Sequence, residues 1–165
     1  MINRLISLLI LVTLSPFLIL VAIIIVIEDG MPFIFKQKRI GINNSNFLLY
    51  KFRTMKNSTP DIPTHLLKRD SNLFTSVGPL LRKLSIDELP QLINILKGEM
   101  TFIGPRPALY NQDDLIESRM KAGIDKLMPG ITGWAQINGR DKLSIQEKVA
   151  MDNFYLLNQS LLLDI

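Results

Sequence analysis

Between Arg4 and Glu28 the chain carries no charged side chain. Leu5 to Ile27 is apolar apart from Ser7, Thr13, Ser15 and Pro16. As one straight helix this run would be about 34 Å long, enough for a hydrocarbon core of about 30 Å. A secretory leader would have a shorter apolar region followed by a small-residue cleavage site. A buried core helix is rarely so long. The run therefore predicts a membrane segment at residues 1–29.

Its centre is Ser15-Pro16. Pro16 cannot donate to the carbonyl of Val12, and its ring crowds that turn. Two arrangements are compatible with this. In one, a kinked helix still spans the bilayer. In the other, Ser15 and Pro16 form the break of a helix-break-helix that enters and leaves on one face. Each arm would then reach about 15 Å, half of the core. The Ser15 hydroxyl could satisfy a carbonyl freed at the break. Arg4 and the free amino group precede the run, and Lys36, Lys38 and Arg39 follow it. Basic flanks favour the cytoplasmic side. From the pattern alone both arrangements stay open.

Residues 30–165 read as a soluble domain on the polar side of this segment. Pro32 to Gln37 and Asn46 to Phe52 are extended, with a polar turn at Gly41 to Ser45. Asn57 to Asn72 holds Pro60, Pro63 and many polar residues, and reads as a loop with a short helix at Thr64 to Arg69. Gly78 to Leu84 is a short helix. Leu89 to Leu96 is another, with Leu89, Leu92, Ile93 and Leu96 at helical spacing and Gly98 as its stop. Asp113 to Lys126 is a solvated helix. Pro129-Gly130 and Asn138-Gly139 are turns bracketing a strand from Thr132 to Ile137, and Leu143 to Leu163 is helical in part. The sum is an α+β chain, mainly helical, with short strands and a hairpin.

Composition narrows the chemistry. The chain has 165 residues, no cysteine and one histidine, His65, which reads as solvated in its polar loop. Disulfide frameworks, Cys-ligated metals, Cys nucleophiles and multi-His centres are excluded. Any metal would be a hard, oxygen-liganded ion such as magnesium. Nineteen Lys plus Arg against 15 Asp plus Glu give a net charge of +4. The cations gather at Lys36, Lys38, Arg39, Lys51, Arg53 and Lys56, and again at Lys68, Arg69, Arg82 and Lys83. A basic domain at a bilayer suits anionic head groups and anionic substrates. No recognition motif or stacking aromatic set points to nucleic acid.

Three segments could carry chemistry. Ser85-Ile86-Asp87-Glu88 matches an S-x-x-E capping box. Pro90 disturbs that register, because with Ser85 as cap it falls at the fifth helical residue and deletes a hydrogen bond. With Asp87 as cap, Pro90 falls at the third, where a missing N–H costs little. A carboxylate at a helix start is kept ionised, and that position also attracts phosphate. Asp can serve as a covalent nucleophile, and Glu88 could hold magnesium. In Gly104-Pro105-Arg106-Pro107, two prolines restrict where one guanidinium points, which suits a phosphate clamp as well as a tight solvated loop. Pro129 to Arg140 reads as a loop-strand-turn, with Trp134 in the core or Arg140 on a phosphate. Lys51-Phe52-Arg53 reads as a surface pair of cations on a strand.

Taken together, LSPFLILVAIII, FIFKQKRIG, LYKFRTM, LRKLSIDELPQLINILKGEMTFIGPRPAL and MPGITGWAQINGR resemble the bacterial sugar transferase family. These are monotopic polyprenyl-phosphate phosphoglycosyl transferases, and the matching stretches appear in the family's order over most of the chain. The resemblance implies a re-entrant anchor broken at Ser15-Pro16 and packed on a catalytic domain, at the cytoplasmic face of the bacterial inner membrane. It implies that Asp87 and Glu88 are the catalytic dyad, that Mg2+ is the cofactor with Glu88 its ligand, and that Arg53, Arg82, Arg106 and Arg140 bind substrate. It implies a UDP-sugar and undecaprenyl phosphate as substrates, membrane lipids as surroundings, and downstream glycosyltransferases as candidate partners. Two features depart from the family pattern. The acidic residue frequent near position 7 is Ser7 here, and the helical sequence that usually follows Ile165 is absent. A truncated, catalytically impaired relative acting as a membrane-bound interaction protein is the alternative reading.

Overall fold

A computed structural model describes residues 1–57, 59 and 73–165. The expected helix at Thr64 to Arg69, His65, Lys68 and Arg69 lie outside the described residues. The rest is mostly helical with short strands, as the pattern predicts. Helix α1 covers Ile2–Asp29. An antiparallel hairpin follows, β1 (Ile34–Ile40) and β2 (Asn46–Phe52), with Ile34 opposite Phe52 and Ile40 opposite Asn46. Helices α2 (Gly78–Lys83) and α3 (Gln91–Lys97) flank a 3-10 turn at Ile86–Glu88. Strand β3 (Thr101–Ile103) pairs in parallel with β4 (Gly130–Thr132), and α4 (Asp113–Lys121) lies between them in the chain. Helices α5 (Trp134–Ile137), α6 (Ile145–Asn158) and α7 (Leu161–Asp164) complete the fold.

Helix α1 is continuous through Pro16 and does not divide into two helices. The lost N–H bond is offset locally. Ser15 Oγ donates to the Val12 carbonyl at 2.8 Å, the acceptor that Pro16 leaves free. The helix is long and apolar enough to cross a membrane.

One stripe of α1 touches the rest of the chain along its whole length. Ile10 and Leu11 pack on Phe47, Leu49, Leu92 and Ile95. Val21 and Ile25 join Phe52 and Leu81 in a second cluster. These positions recur at helical spacing, as one buried face requires. Polar contacts close both ends. Arg4 Nη2 reaches the Lys97 carbonyl at 3.5 Å, and Glu28 accepts from the Ser76 amide. Ser7, fully buried, donates to the Leu92 carbonyl at 2.6 Å, so a hydroxyl docks α1 on the segment leading into and through α3. The opposite face of α1, including Leu5, Leu9, Val12, Ile19 and Ile27, is exposed and apolar apart from Thr13.

Helix α3 also closes the free edge of β2. Asn94, fully buried, donates from Nδ2 to the Leu48 carbonyl at 2.7 Å, and its Oδ1 accepts from the Tyr50 amide at 3.1 Å. One carboxamide thus satisfies the backbone groups that a third strand would otherwise pair. Gly98, with φ of +82°, stops α3 as expected.

Three expectations are corrected. The strand predicted at Thr132 to Ile137 ends at Thr132, and α5 begins at Trp134. The chain turns at Gly133, where it packs closely on the residue that follows β3: a Cβ on Gly133 would lie 2.1 Å from the Gly104 carbonyl oxygen. The helix predicted over Asp113 to Lys126 stops at Lys121, because Gly123 adopts φ of +72° ahead of a separate 3-10 turn at Ile124–Lys126. The first strand runs to Ile40, past the expected end at Gln37, because the hairpin register continues to the turn.

Candidate active site

The 3-10 turn at Ile86–Glu88 carries both candidate carboxylates into the protein. Asp87 and Glu88 are each only 8% exposed. Ser85 does not cap this turn. It adopts a left-handed conformation with φ of +56° and makes no side-chain cap bond. Pro90 is itself the N-cap of α3, so neither expected register for the dyad is found. The S-x-x-E box forms instead at Ser144 and Glu147, at the start of α6.

Glu88 is the electrostatic centre. Its Oε1 lies 2.7 Å from Lys51 Nζ and 3.1 Å from Arg106 Nη2. Burial works to raise its pKa, but the Lys51 and Arg106 charges outweigh that and bring it down to about 2. Asp87 behaves oppositely. Burial pushes its carboxyl up, Lys51 opposes this, Glu88 adds to it and Arg82 opposes it, with a net rise above 3.8. Burial also lowers the Lys51 ammonium against the pull of Glu88.

Lys51 is not a surface residue. Phe47, Leu49 and Lys51 alternate along β2, so all three share its inward face. The chain leaves the strand after Phe52, and Arg53 goes elsewhere. Its Nη2 donates to the carbonyls of Asp29 (3.1 Å) and Gly30 (2.6 Å), and its Nη1 to Asn57 Oδ1 at 2.7 Å. It also pairs with the Asp29 carboxylate at 3.2 Å. Arg53 therefore closes the C-terminus of α1, as cations at such ends do. The structure does not bring it to the carboxylates.

The other three expected arginines sit around the dyad. Arg82, in the last turn of α2, donates from Nε to Thr54 Oγ1 at 2.8 Å and stacks 5.0 Å above the Phe74 ring. Its charge is felt by Asp87. Arg106 pairs with Glu88. Arg140 lines the same cleft as Glu88 and Arg106, a space of about 590 Å³. Asp87 and Arg82 are not on that cleft wall. Apolar side chains also line it, among them Ile10 of α1, Leu89, Leu92 and Phe102. The cleft thus joins the charged side chains of Glu88, Arg106 and Arg140 to apolar side chains that include one from α1.

Among the described residues no group of three or more His, Asp or Glu could cage a metal. The donor set fits magnesium held by one or two carboxylates together with substrate oxygens, the usual manner for that ion. Both cations on Glu88 contact Oε1, leaving the second oxygen for such a role.

A buried turn thus sets two carboxylates of opposed acidity among Lys51, Arg82 and Arg106, an arrangement of charge suited to an anionic ligand. The chain belongs to the bacterial sugar transferase family, whose model matches residues 1–165. It is 46% identical over 139 residues to a Bacillus subtilis protein described as the uncharacterized sugar transferase EpsL, covering 84% of this chain and 67% of that protein. It is 41% identical over 167 residues to the UDP-glucose:undecaprenyl-phosphate glucose-1-phosphate transferase of Escherichia coli K12, covering 95% of this chain and 35% of that protein. It is 36% identical over 156 residues to an Aeromonas hydrophila UDP-N-acetylgalactosamine-undecaprenyl-phosphate N-acetylgalactosaminephosphotransferase, covering 92% and 37%.

Lys51 is the principal site residue that the sequence reading missed, and alternation along FLLYK was the signal that could have found it.

Proposed function

We propose that the protein transfers a phosphosugar from a UDP-sugar to undecaprenyl phosphate, the first step of a surface polysaccharide or glycoconjugate. The observation that carries this is the buried Asp87-Glu88 turn among Lys51, Arg82 and Arg106, in a chain related to enzymes named for that reaction. Asp87 is the nucleophile. A carboxylate oxygen forms a bond to the β-phosphorus of the UDP-sugar, the bond from that phosphorus to the bridging oxygen breaks, and UMP leaves. An oxygen of undecaprenyl phosphate then attacks the same phosphorus and displaces the Asp87 carboxylate. The two anionic substrates are thereby separated in time.

Burial raises the basicity of Asp87, which favours attack, while Lys51 and Arg82 help hold it ionised. Glu88 fixes Lys51 and Arg106 in place, and those charges face the transferring phosphoryl oxygens in a sheltered site. Arg140 extends the cationic wall toward the nucleotide. When bound, magnesium on Glu88 would add charge neutralisation of the diphosphate.

The membrane arrangement in this reading is monotopic, on the cytoplasmic face. Helix α1 would be about 42 Å long, more than a hydrocarbon core. Both of its ends make polar contacts with the same domain, at Lys97 and at Arg53. That supports a helix held at one face of the bilayer, with its exposed apolar side in one leaflet, over one crossing from side to side.

The experiment is UMP release from a panel of UDP-sugars by detergent-purified protein with magnesium, with and without undecaprenyl phosphate, beside Asp87→Asn. Lipid-dependent release from one sugar, absent in the variant, is expected. A stoichiometric burst without lipid would report the covalent intermediate. Undiminished turnover by Asp87→Asn would remove the nucleophile assignment.

A further inference from the structure

Pro105 and Pro107 have no N–H, so the loop that presents Arg106 is fixed largely through its carbonyls. Four consecutive carbonyls accept from four different groups. Gly130 N donates to Pro105 O at 3.0 Å, Arg119 Nη1 to Arg106 O at 2.8 Å, Arg39 Nη1 to Pro107 O at 2.9 Å, and Ile40 N to Ala108 O at 3.0 Å. Arg119 is in turn gripped by Asp152, with Nε at 3.0 Å and Nη2 at 2.6 Å from Oδ2. Asp152 is 1% exposed. Neither residue lines the cleft. A buried ion pair gains little over a well-packed apolar pair, so stability alone is a poor reason for this one. The guanidinium fork can hold a carboxylate on one edge and donate a third bond elsewhere, which an ammonium cannot do in fixed geometry.

We propose that Arg119 and Asp152 are positioning residues: the pair locks the Arg106 carbonyl, and so aims the Arg106 guanidinium at Glu88 and the substrate phosphates. The inference rests on the phosphosugar-transfer reading of the site. It adds that Arg106 works through a support spanning α4 and α6.

The test is a mutant cycle on UMP release. Arg119→Met/Asp152→Leu replaces the ion pair with apolar side chains of similar bulk, keeping the packing while removing the bond to Arg106. The double variant is expected to melt near the wild-type temperature and yet lose about tenfold or more in kcat/KM. In an Arg106→Ala background the same two changes are expected to alter kcat/KM by less than about twofold. Equal losses in both backgrounds would overturn the proposal, because the pair would then act through the fold at large. Should the double variant not fold, Arg119→Lys enters the same cycle with the same two outcomes. Should wild-type protein release no UMP from any UDP-sugar, the reaction assignment fails separately. The positioning is then decided without turnover, from the 15N signal of the Arg106 guanidinium, assigned by its loss in Arg106→Lys. Protection from water exchange that disappears in Arg119→Lys supports it; unchanged protection overturns it.

Discussion

Asp87 and Glu88 are adjacent in the chain and equally buried, and their carboxyls are driven in opposite directions. Glu88 meets two cations on one oxygen and falls to about 2, while burial dominates at Asp87 and raises it. A carboxyl raised on folding holds its proton more tightly in the native state, so its ionisation at neutral pH costs stability. A lowered one contributes stability that is present above its unfolded value and lost as pH falls through the folded value.

The two isosteric variants therefore differ in sign. Asp87→Asn should melt at or above the wild-type temperature at pH 7 while losing turnover, a local exchange of stability for function. Glu88→Gln should melt lower, because it leaves the largely buried Lys51 ammonium, with Arg106 next to it, beside an uncharged partner. Breaking such a pair costs roughly 3 kcal/mol, on the order of 10 °C in Tm for a chain of this size. Thermal melts of both variants in one detergent check this, and a lower Tm for Asp87→Asn would count against it.

The same shifts set the pH behaviour. The acid limb of kcat/KM reports the free-enzyme nucleophile, and it should lie above the ordinary aspartate value of 3.8. Lys51→Met should move that limb to higher pH, since Lys51 opposes the rise. The stability contributed by Glu88 should be complete above about 4.5 and decline toward pH 2. A pH–rate series on wild type and Lys51→Met decides the first point, and an acid-unfolding series on wild type and Glu88→Gln the second.

Arg53 and Arg106 look alike in sequence and sit in different places. Arg53→Met should lower stability by roughly 2–4 kcal/mol, as several hydrogen bonds at the end of α1 are lost. The protein that remains folded should keep its KM for UDP-sugar. Arg106→Met should keep its melting temperature within a few degrees and lose kcat/KM. Steady-state kinetics on folded fractions separate the two; a raised KM in Arg53→Met would restore it to the substrate site.

The sequence made elements legible where one local rule acted without a competitor. The apolar run of α1, the extended Asn46 to Phe52 segment beside its polar turn and the Gly98 stop each depended on a single pattern. It misled where tertiary contacts overrode a local signal. Ser85-Ile86-Asp87-Glu88 and Ser144-Ile145-Gln146-Glu147 are the same capping motif, yet only the second caps a helix, because Glu88 is drawn to Lys51 and Arg106. Thr132 to Ile137 has strand-forming residues, but close approach to Gly104 turns the chain at Gly133. Arg119 and Asp152 meet across 33 positions of sequence, and no local pattern encodes that meeting.

The membrane arrangement is open to a direct test because the chain has no cysteine. Ile2 and Met31 bracket α1 and are 71% and 63% exposed, so single cysteines there should disturb little. A helix crossing the bilayer would put these ends on opposite sides. The contacts of Arg4 with Lys97 and of Arg53 with Asp29 instead tie both ends to one domain, and a spanning helix could keep only one of them. A membrane-impermeant maleimide applied to right-side-out cells should therefore label neither cysteine, and permeabilisation should expose both. Labelling of one cysteine before permeabilisation and the other only after it would mean that α1 spans. The contacts at one end would then have to break on insertion, and Ser15 would serve only to mend a kink at Pro16.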